Sequence, residues 1–312
     1  MEAPQLISRQ QALAAGLTDK DLRRLCRSGR WQRLRAGHYL DAPGRDLDAS
    51  LRHRLMTIAT AETTSDSAIT SHCSAAVLHG MSTWDIPLDR VHLTRDRING
   101  GRTSGRVIVH AAQLEPDEIT VVHGIRVTTP ARTVVDVARC EGFEQSVALG
   151  DSALRHGATT SAELQEHLHR ARHRPGSRAA MRVVRFLDGR SANIGESRSR
   201  ILLHRSGLPA PELHARIFSD DGICIGRVGF LFPDLGVIGE FQNALPGPRS
   251  PEQIAINETK RADQLRALGW MVLRWTWHDL ADPTRLAHRF RAAARLADRR
   301  HRCGHWTATP QP

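Results

Sequence analysis

Apolar residues along this chain recur with two different periods, and the changes of period mark out its elements. Ser8-Arg-Gln-Gln11 is a capping-box pattern ahead of Ala12, Leu13 and Ala14, and Gly16 stops the run. Thr18-x-x-Asp21 starts a second helix, which the spacing carries to about Ser28 before Gly29. Leu22 and Leu25 fall on its inward face, while Lys20, Arg23, Arg24 and Arg27 fall at helical spacing on the other. Trp31–Arg35 then reads as a strand, Ala36-Gly37 as a turn and residues 38–40 as a return strand. Two short helices on a tight turn, followed by a hairpin, predict a winged helix-turn-helix over residues 1–50.

Beyond it the pattern predicts a small α/β middle domain over residues 51–140. A helix covers 50–62, and Ser71 is placed to cap another over 72–79. Short strands are expected at 91–93, 107–109 and 125–127. Thr129-Pro130 opens a strong helix, with Thr as cap, Pro at the first position and Val134, Val135, Val137 and Ala138 on the buried face. Arg132 and Asp136 on that helix form an i, i+4 pair of structural kind. His72 and His79 are seven apart without an acid at matching spacing, which marks packing or surface histidines. Residues 141–190 read as a helical linker broken by the basic loop Arg170-Ala-Arg-His-Arg-Pro-Gly-Ser-Arg178, either a solvated face or a phosphate contact.

Residues 191–302 form a third region. A helix starts at Glu196, strands are expected at 213–218, 223–232 and 237–241, a helix at 252–268, a strand at 270–276 and a last helix from Pro283. Residues 303–312 read as a tail. The fold class is therefore α/β in the mixed α+β sense.

Composition adds a partner. The chain has 312 residues, 40% hydrophobic and 4% aromatic, with a formal net charge of +11. Such a balance attracts polyanions, nucleic acid above all. It has only two lysines, Lys20 and Lys260, so genomic bias explains Arg over Lys but not the positive excess. From residue 20 to 35 there are seven basic residues against one acid, Asp21. A helix of this width fits the major groove of double-stranded DNA. Arg33 and Arg35 on the hairpin would meet the flanking backbone or the minor groove. In the last helix, Arg285, Arg289, Arg291, Arg295, Arg299 and Arg300 suit the same partner, and Trp275 and Trp277 either stack on bases or pack in the core.

Other classes drop out. No run of 18 apolar residues indicates a membrane span, and the first residues lack the basic and apolar regions of a signal peptide, so the cytoplasm is expected. Five scattered cysteines (26, 73, 140, 224, 303) without a C-x-x-C pair argue against a disulfide framework. His301-Arg-Cys303-Gly-His305 could hold a metal, but a disordered terminal segment is the plainer reading.

The first fifty residues resemble the winged-helix domain of the AbiEi antitoxins. The resemblance rests on Ile7-Ser-Arg-Gln-Gln11-Ala-Leu-Ala-Ala-Gly-Leu17 and Trp31-x-x-Leu34-x-x-Gly37-x-Tyr39. It implies DNA binding at the protein's own operon, a cognate toxin as partner, and a homodimer of the repressor kind. Thr128-Thr-Pro-Ala-Arg-Thr-Val-Val-Asp136 is similar to a segment of AbiEi-like and DUF559-type proteins.

The third region resembles the DUF559 and very-short-patch-repair branch of the PD-(D/E)xK nuclease superfamily. The matching residues are Gly195-Glu196-Ser-Arg-Ser-Arg200, Arg227-Val-Gly-Phe230, Gly236-Val-Ile-Gly-Glu240-Phe241 and Leu268-Gly-Trp270-x-Val-x-Arg274-x-Thr-Trp277. That resemblance implies a restriction-endonuclease-like fold with strand acids that hold Mg²⁺ and a lysine that polarises water. Glu240 matches the second acid and is the one expected metal ligand. The first would stand at 229, which is Gly, and 242 is Gln where this branch has Asp. Asp234 lies too far along, Glu196 could supply a second carboxylate, and Glu258-Thr-Lys260 is an E-x-K on a helix. A working enzyme would use Glu196, Glu240 and Lys260 with Mg²⁺. The degraded pattern favours instead a DNA-binding, antitoxin-like repressor with no cofactor. The alternatives are an Mg²⁺-dependent endonuclease and an interaction module that neutralises a toxin.

Overall fold

The structure is a computed structural model that describes residues 5–41, 46–65, 67–97, 100–242, 251–297 and 301–310, and it gives side chains from residue 258 onward in the helix that begins at Pro251. It confirms a mixed α/β fold and divides into two units: Met1–Leu149 with Ala158–Arg185, and Gly150–Gly157 with Phe186–Pro312.

The first unit begins with β1 (Gln5–Ser8), α1 (Arg9–Ala14), α2 (Asp19–Arg27), β2 (Trp31–Arg35) and β3 (His38–Asp41). Both capping boxes predicted from the sequence form, at Ser8 with Gln11 and at Thr18 with Asp21. The strand β1 was not foreseen; it pairs antiparallel with β3, giving a sheet of order β1-β3-β2. Next come α3 (Ala49–Ala61), β4 (Ala68–Thr70), α4 (His72–Leu78), β5 (Val91–Arg95), β6 (Arg102–Ser104), β7 (Val107–Ala111), β8 (Ile119–Val122) and β9 (Ile125–Thr128). These six strands form one mixed sheet of order β6-β7-β5-β4-β9-β8. Then follow α5 (Pro130–Cys140), α6 (Phe143–Arg155), α7 (Ser161–Arg170) and α8 (Ser177–Phe186).

Leu34 and Leu40 of the hairpin are buried with Leu55, Met56 and Ala59 of α3 and Val91 and Leu93 of β5. Burying side chains of this size contributes about 1.5–3 kcal/mol each, so residues 1–50 and 51–140 share one core and do not divide at residue 50. Residues 158–185 also belong to this unit, where the sequence suggested a linker. The basic loop is largely exposed, though two of its arginines bond back to the unit: Arg170 pairs with Asp117 at 2.9 Å and Arg174 donates to the Gln113 carbonyl at 3.0 Å. Ser71 and Thr129 stand at the starts of α4 and α5 but neither side chain caps its helix. Arg132 is buried between Glu118 (2.6 Å) and Asp136 (2.7 Å), and Asp136 also accepts from Arg139 at 2.9 Å.

The second unit contains α9 (Ile194–Arg205), β10 (Glu212–Leu213), β11 (Arg216–Phe218), β12 (Cys224–Arg227), β13 (Phe230–Phe232), β14 (Val237–Phe241), α10 (Pro251–Ala267), β15 (Met271–Trp275), α11 (Trp277–Leu280), α12 (Pro283–Ala297) and β16 (His305–Thr307). The expected three-strand meander is broken in two. His214 takes a positive φ of 55° between β10 and β11, and the return strand breaks at Val228-Gly229. Two sheets result, β10-β13-β14-β15 and β12-β11-β16. β14 and β15 are parallel, with α10 in the crossover. Alternation sends Phe230, Phe232 and Val237 to one core with Phe290 of α12, and Leu231 and Ile238 to another with Leu265 of α10. β16 corrects the expected tail: it pairs with β11, and Thr309 donates to the His214 carbonyl at 2.7 Å. Among the described residues, no helix is long and apolar enough to cross a membrane.

Candidate nucleic-acid interface and a carboxylate cleft

In the first unit, α2 has a short polar start and a single buried residue, Leu22. Thr18 Oγ1 accepts from the Asp21 amide at 3.2 Å, and Asp21 accepts in return from the Thr18 amide at 3.0 Å. Arg9 at the start of α1 donates to Asp19 through Nε (2.9 Å) and Nη2 (2.6 Å), which sets the two helices against each other. The Asp19 carboxyl is held below its ordinary value by that hydrogen bond. With Leu22 inward, Lys20, Arg23, Arg24 and Arg27 are all exposed on one face. Together with Ser28 and Asp21 they line one shallow depression. Arg24 is partly neutralised by Asp21 at 2.8 Å. Arg33 is exposed on the hairpin. Arg35, expected on the same surface, turns inward: it is half-buried, and its Nη1 donates to the Ala59 carbonyl at 3.2 Å. The β-bulge between Arg33 and Arg35 opposite β3 is where the two part company.

In the second unit, the residues expected to form a nuclease site do converge in part. Glu196, His214, Arg227, Gly229, Glu240, Phe241, Gln242, Glu258, Arg261 and Thr276 line a cleft of about 540 Å³. Two glycines allow close packing beside it: a Cβ on Gly195 would sit 2.0 Å from the ring of Phe241, which lines the cleft, and one on Gly239 2.4 Å from the ring of the buried Trp275. Asn193 caps α9 by accepting from the Glu196 amide at 3.0 Å, so Glu196 sits in the first turn. Its Oε2 accepts from the Ala192 amide at 2.7 Å and lies 2.9 Å from His214 Nε2.

Glu240 holds two guanidinium groups where a metal ion was expected. One oxygen accepts from Arg261 Nη2 and the other from Arg274 Nε at 2.9 Å. Arg274 stands opposite Glu240 in the parallel register, and Arg261 reaches in from α10. A divalent cation at Glu240 would face two fixed positive charges with no carboxylate at 229 to compensate, so these residues do not fit Mg²⁺. Lys260 points elsewhere: it is exposed and does not line the cleft, which its neighbour Arg261 enters instead. Asp234 is exposed and also absent from the lining. Trp275 is buried with its indole N–H donating to Ser199 Oγ at 2.8 Å, while the partly exposed Trp277 meets the Phe241 ring edge-on. Trp275 therefore packs in the core, while Trp277 stays exposed beside Phe241. Of the arginines in α12, Arg289 binds Asp279 and Arg291 the Ser206 carbonyl. Arg299 and Arg300 lie outside the described residues.

No local signal marks the guanidinium pair, because it depends on strand register. Nor does any mark a third cluster, His72, His92 and His110 in the first unit, whose members come from three separate elements.

Two family models match parts of the chain. Residues 3–40 match "Transcriptional regulator, AbiEi antitoxin" and residues 68–189 match "AbiEi antitoxin C-terminal domain". Two curated relatives from Mycobacterium tuberculosis, Uncharacterized protein MT2308 (strain CDC 1551 / Oshkosh) and Uncharacterized protein Rv2248 (strain ATCC 25618 / H37Rv), are each 31% identical over 232 residues, 74% of this chain and 82% of theirs. The chain belongs to one family with these two proteins and carries AbiEi antitoxin domains. The crystal structure of RV2827C protein from Mycobacterium tuberculosis matches at a TM-score of 0.39 and 15% identity, over 58% of this chain and 72% of that one.

Proposed function

We propose that this protein is an antitoxin-like transcriptional regulator that binds double-stranded DNA through α2. The observation that carries the reading is the exposed face of Lys20, Arg23, Arg24 and Arg27, spaced i, i+3, i+4 and i+7 on a helix that follows a tight turn. It lies within the segment that matches the AbiEi regulator model. In this reading α2 enters the major groove, Arg23 and Arg27 meet phosphates or guanine edges, and Arg33 rests on the flanking backbone. The winged-helix description belongs to the same proposal, as does a cognate toxin partner. The test is fluorescence anisotropy of a labelled duplex from upstream of the protein's own gene, titrated at several salt concentrations. Saturable binding that weakens steeply with salt is expected. No binding at low salt would sink the proposal.

The second unit, on this reading, keeps the outline of a PD-(D/E)xK nuclease without its chemistry. Plasmid incubated with the protein in Mg²⁺ or Mn²⁺ is expected to stay supercoiled, and Glu240→Ala is expected to change nothing. Gly229→Asp, whose Cβ would meet only the Gly239 carbonyl oxygen at 3.4 Å, is expected to fit but to stay inactive while Arg261 and Arg274 hold Glu240. Metal-dependent nicking that Glu240→Ala abolishes would overturn this part and favour the endonuclease.

A further inference from the structure

Three histidines far apart in the chain come together in the first unit. His72 opens α4, His92 lies in β5 and His110 in β7. β5 and β7 are parallel neighbours with Thr94 opposite His110, so His92 and His110 stand diagonally on one face of the sheet. His110 Nε2 lies 3.1 Å from His92 Nδ1, and the His72 ring stacks on that of His110 at 3.7 Å between centroids. One nitrogen from each ring lies within 4.8 Å of the others.

We propose that His72, His92 and His110 hold a divalent transition-metal ion, with zinc the best chemical match. Neutral imidazole is the commonest ligand for such an ion, and three of them with one open position is a familiar zinc set. At zinc–nitrogen distances of about 2.0–2.1 Å, tetrahedral ligand nitrogens lie roughly 3.3 Å apart. The His92–His110 pair is already near that spacing, and His72 completes the set by turning its ring out of the stack with His110.

Two further features point the same way. Thr94 Oγ1 donates to Ser71 Oγ at 2.7 Å, and Ser71 Oγ lies 3.0 Å from His72 Nδ1. That chain orients the His72 ring, as partners outside the coordination sphere do at metal sites. It also gives Ser71 a role other than helix capping. His72 further adopts a φ of +52°, a backbone strain that clusters at ligand-holding positions. A fourth position would be left to water, because the nearby Asp136 is already held by Arg132 and Arg139.

The test uses the full chain, purified with a chelator and then titrated with Co²⁺. The expected result is one equivalent bound per chain, with the visible absorption of four-coordinate, nitrogen-ligated cobalt, displaced by one equivalent of Zn²⁺. His92→Gln and His110→Gln, checked for folding by circular dichroism, are each expected to weaken binding by about 100-fold or more. A variant lacking His301, Cys303 and His305 is expected to bind as the wild type does. X-ray absorption on the zinc-loaded wild type should count three imidazoles, and it stands whether or not the variants fold. No stoichiometric binding, thiolate charge-transfer bands, fewer than two imidazoles, or unchanged affinity in the folded histidine variants would each overturn the proposal.

Discussion

Arg132→Ala is expected to destabilise the first unit by about 3–5 kcal/mol, because it strands two buried carboxylates. Glu118 and Asp136 sit on either side of the Arg132 guanidinium at 2.6 and 2.7 Å, and all three residues are almost fully buried. Breaking such a pair costs more than the pair contributes, since the remaining charge has no water to turn to. The midpoint of thermal unfolding should fall by roughly 6–20 °C. Arg102→Ala, on an exposed strand, should move stability by less than about 0.5 kcal/mol and serves as the control. A fall of under about 1 kcal/mol for Arg132→Ala would mean that the cluster is wetter than its burial indicates.

The same cluster gives the protein an acid limb. Burial pushes Glu118 up, but the His167 ring beside it and the Arg132 charge outweigh that and bring it down to about 2. Asp136 is likewise depressed: burial opposes the shift, and the charges of Arg132 and Arg139 overcome it. Groups with depressed folded values stabilise the fold above their unfolded values. Their contribution is lost as pH falls through the folded ones, so for Glu118 the loss runs from about 4.5 to about 2. The Arg132→Ala protein should show a shallower acid limb over that window.

Arg23→Ala with Arg27→Ala is expected to weaken duplex binding by at least roughly 30-fold, taking about 1–3 kcal/mol for each contact. If both side chains meet phosphates, the slope of log affinity against log salt should fall by about 2. A smaller slope change with a larger effect at one base pair would instead assign one of them to a base edge. Thermal stability should hardly move, since both residues are exposed. Arg35→Ala should do the reverse, leaving the salt slope alone while it loosens the contact with α3. Equal binding by the double variant and the wild type would remove α2 from the interface.

Local pattern was enough for the two short helices and the hairpin that follows them. Both capping boxes, the turn at Gly16, the basic face of α2 and the hairpin at Gly37 are short-range features, decided by residues three or four apart. The same holds for most helices and for the strand that carries Glu240. β1 escaped notice because four residues without strong alternation become a strand only when β3 is there to pair with them.

What a residue does once its element is placed was decided by tertiary structure. Arg33 and Arg35 look alike in the sequence, yet a bulge sends one to solvent and the other onto α3. Glu240 was legible as an acid at a strand end, but its two arginine partners come from a parallel strand and a crossover helix, whose register no local pattern encodes. Lys260 and Arg261 are adjacent, and helix rotation alone chooses which enters the cleft. The three histidines are spread from His72 to His110 and have no shared motif; sheet order brings them together. Sequence by itself therefore determined the elements, the charge and the family likeness, because these depend on near neighbours and on sums. Pairing, register and burial depend on contacts between distant segments, and they alone turned a candidate metal-binding acid into an arginine clamp and two expected strands into the walls of a histidine cluster.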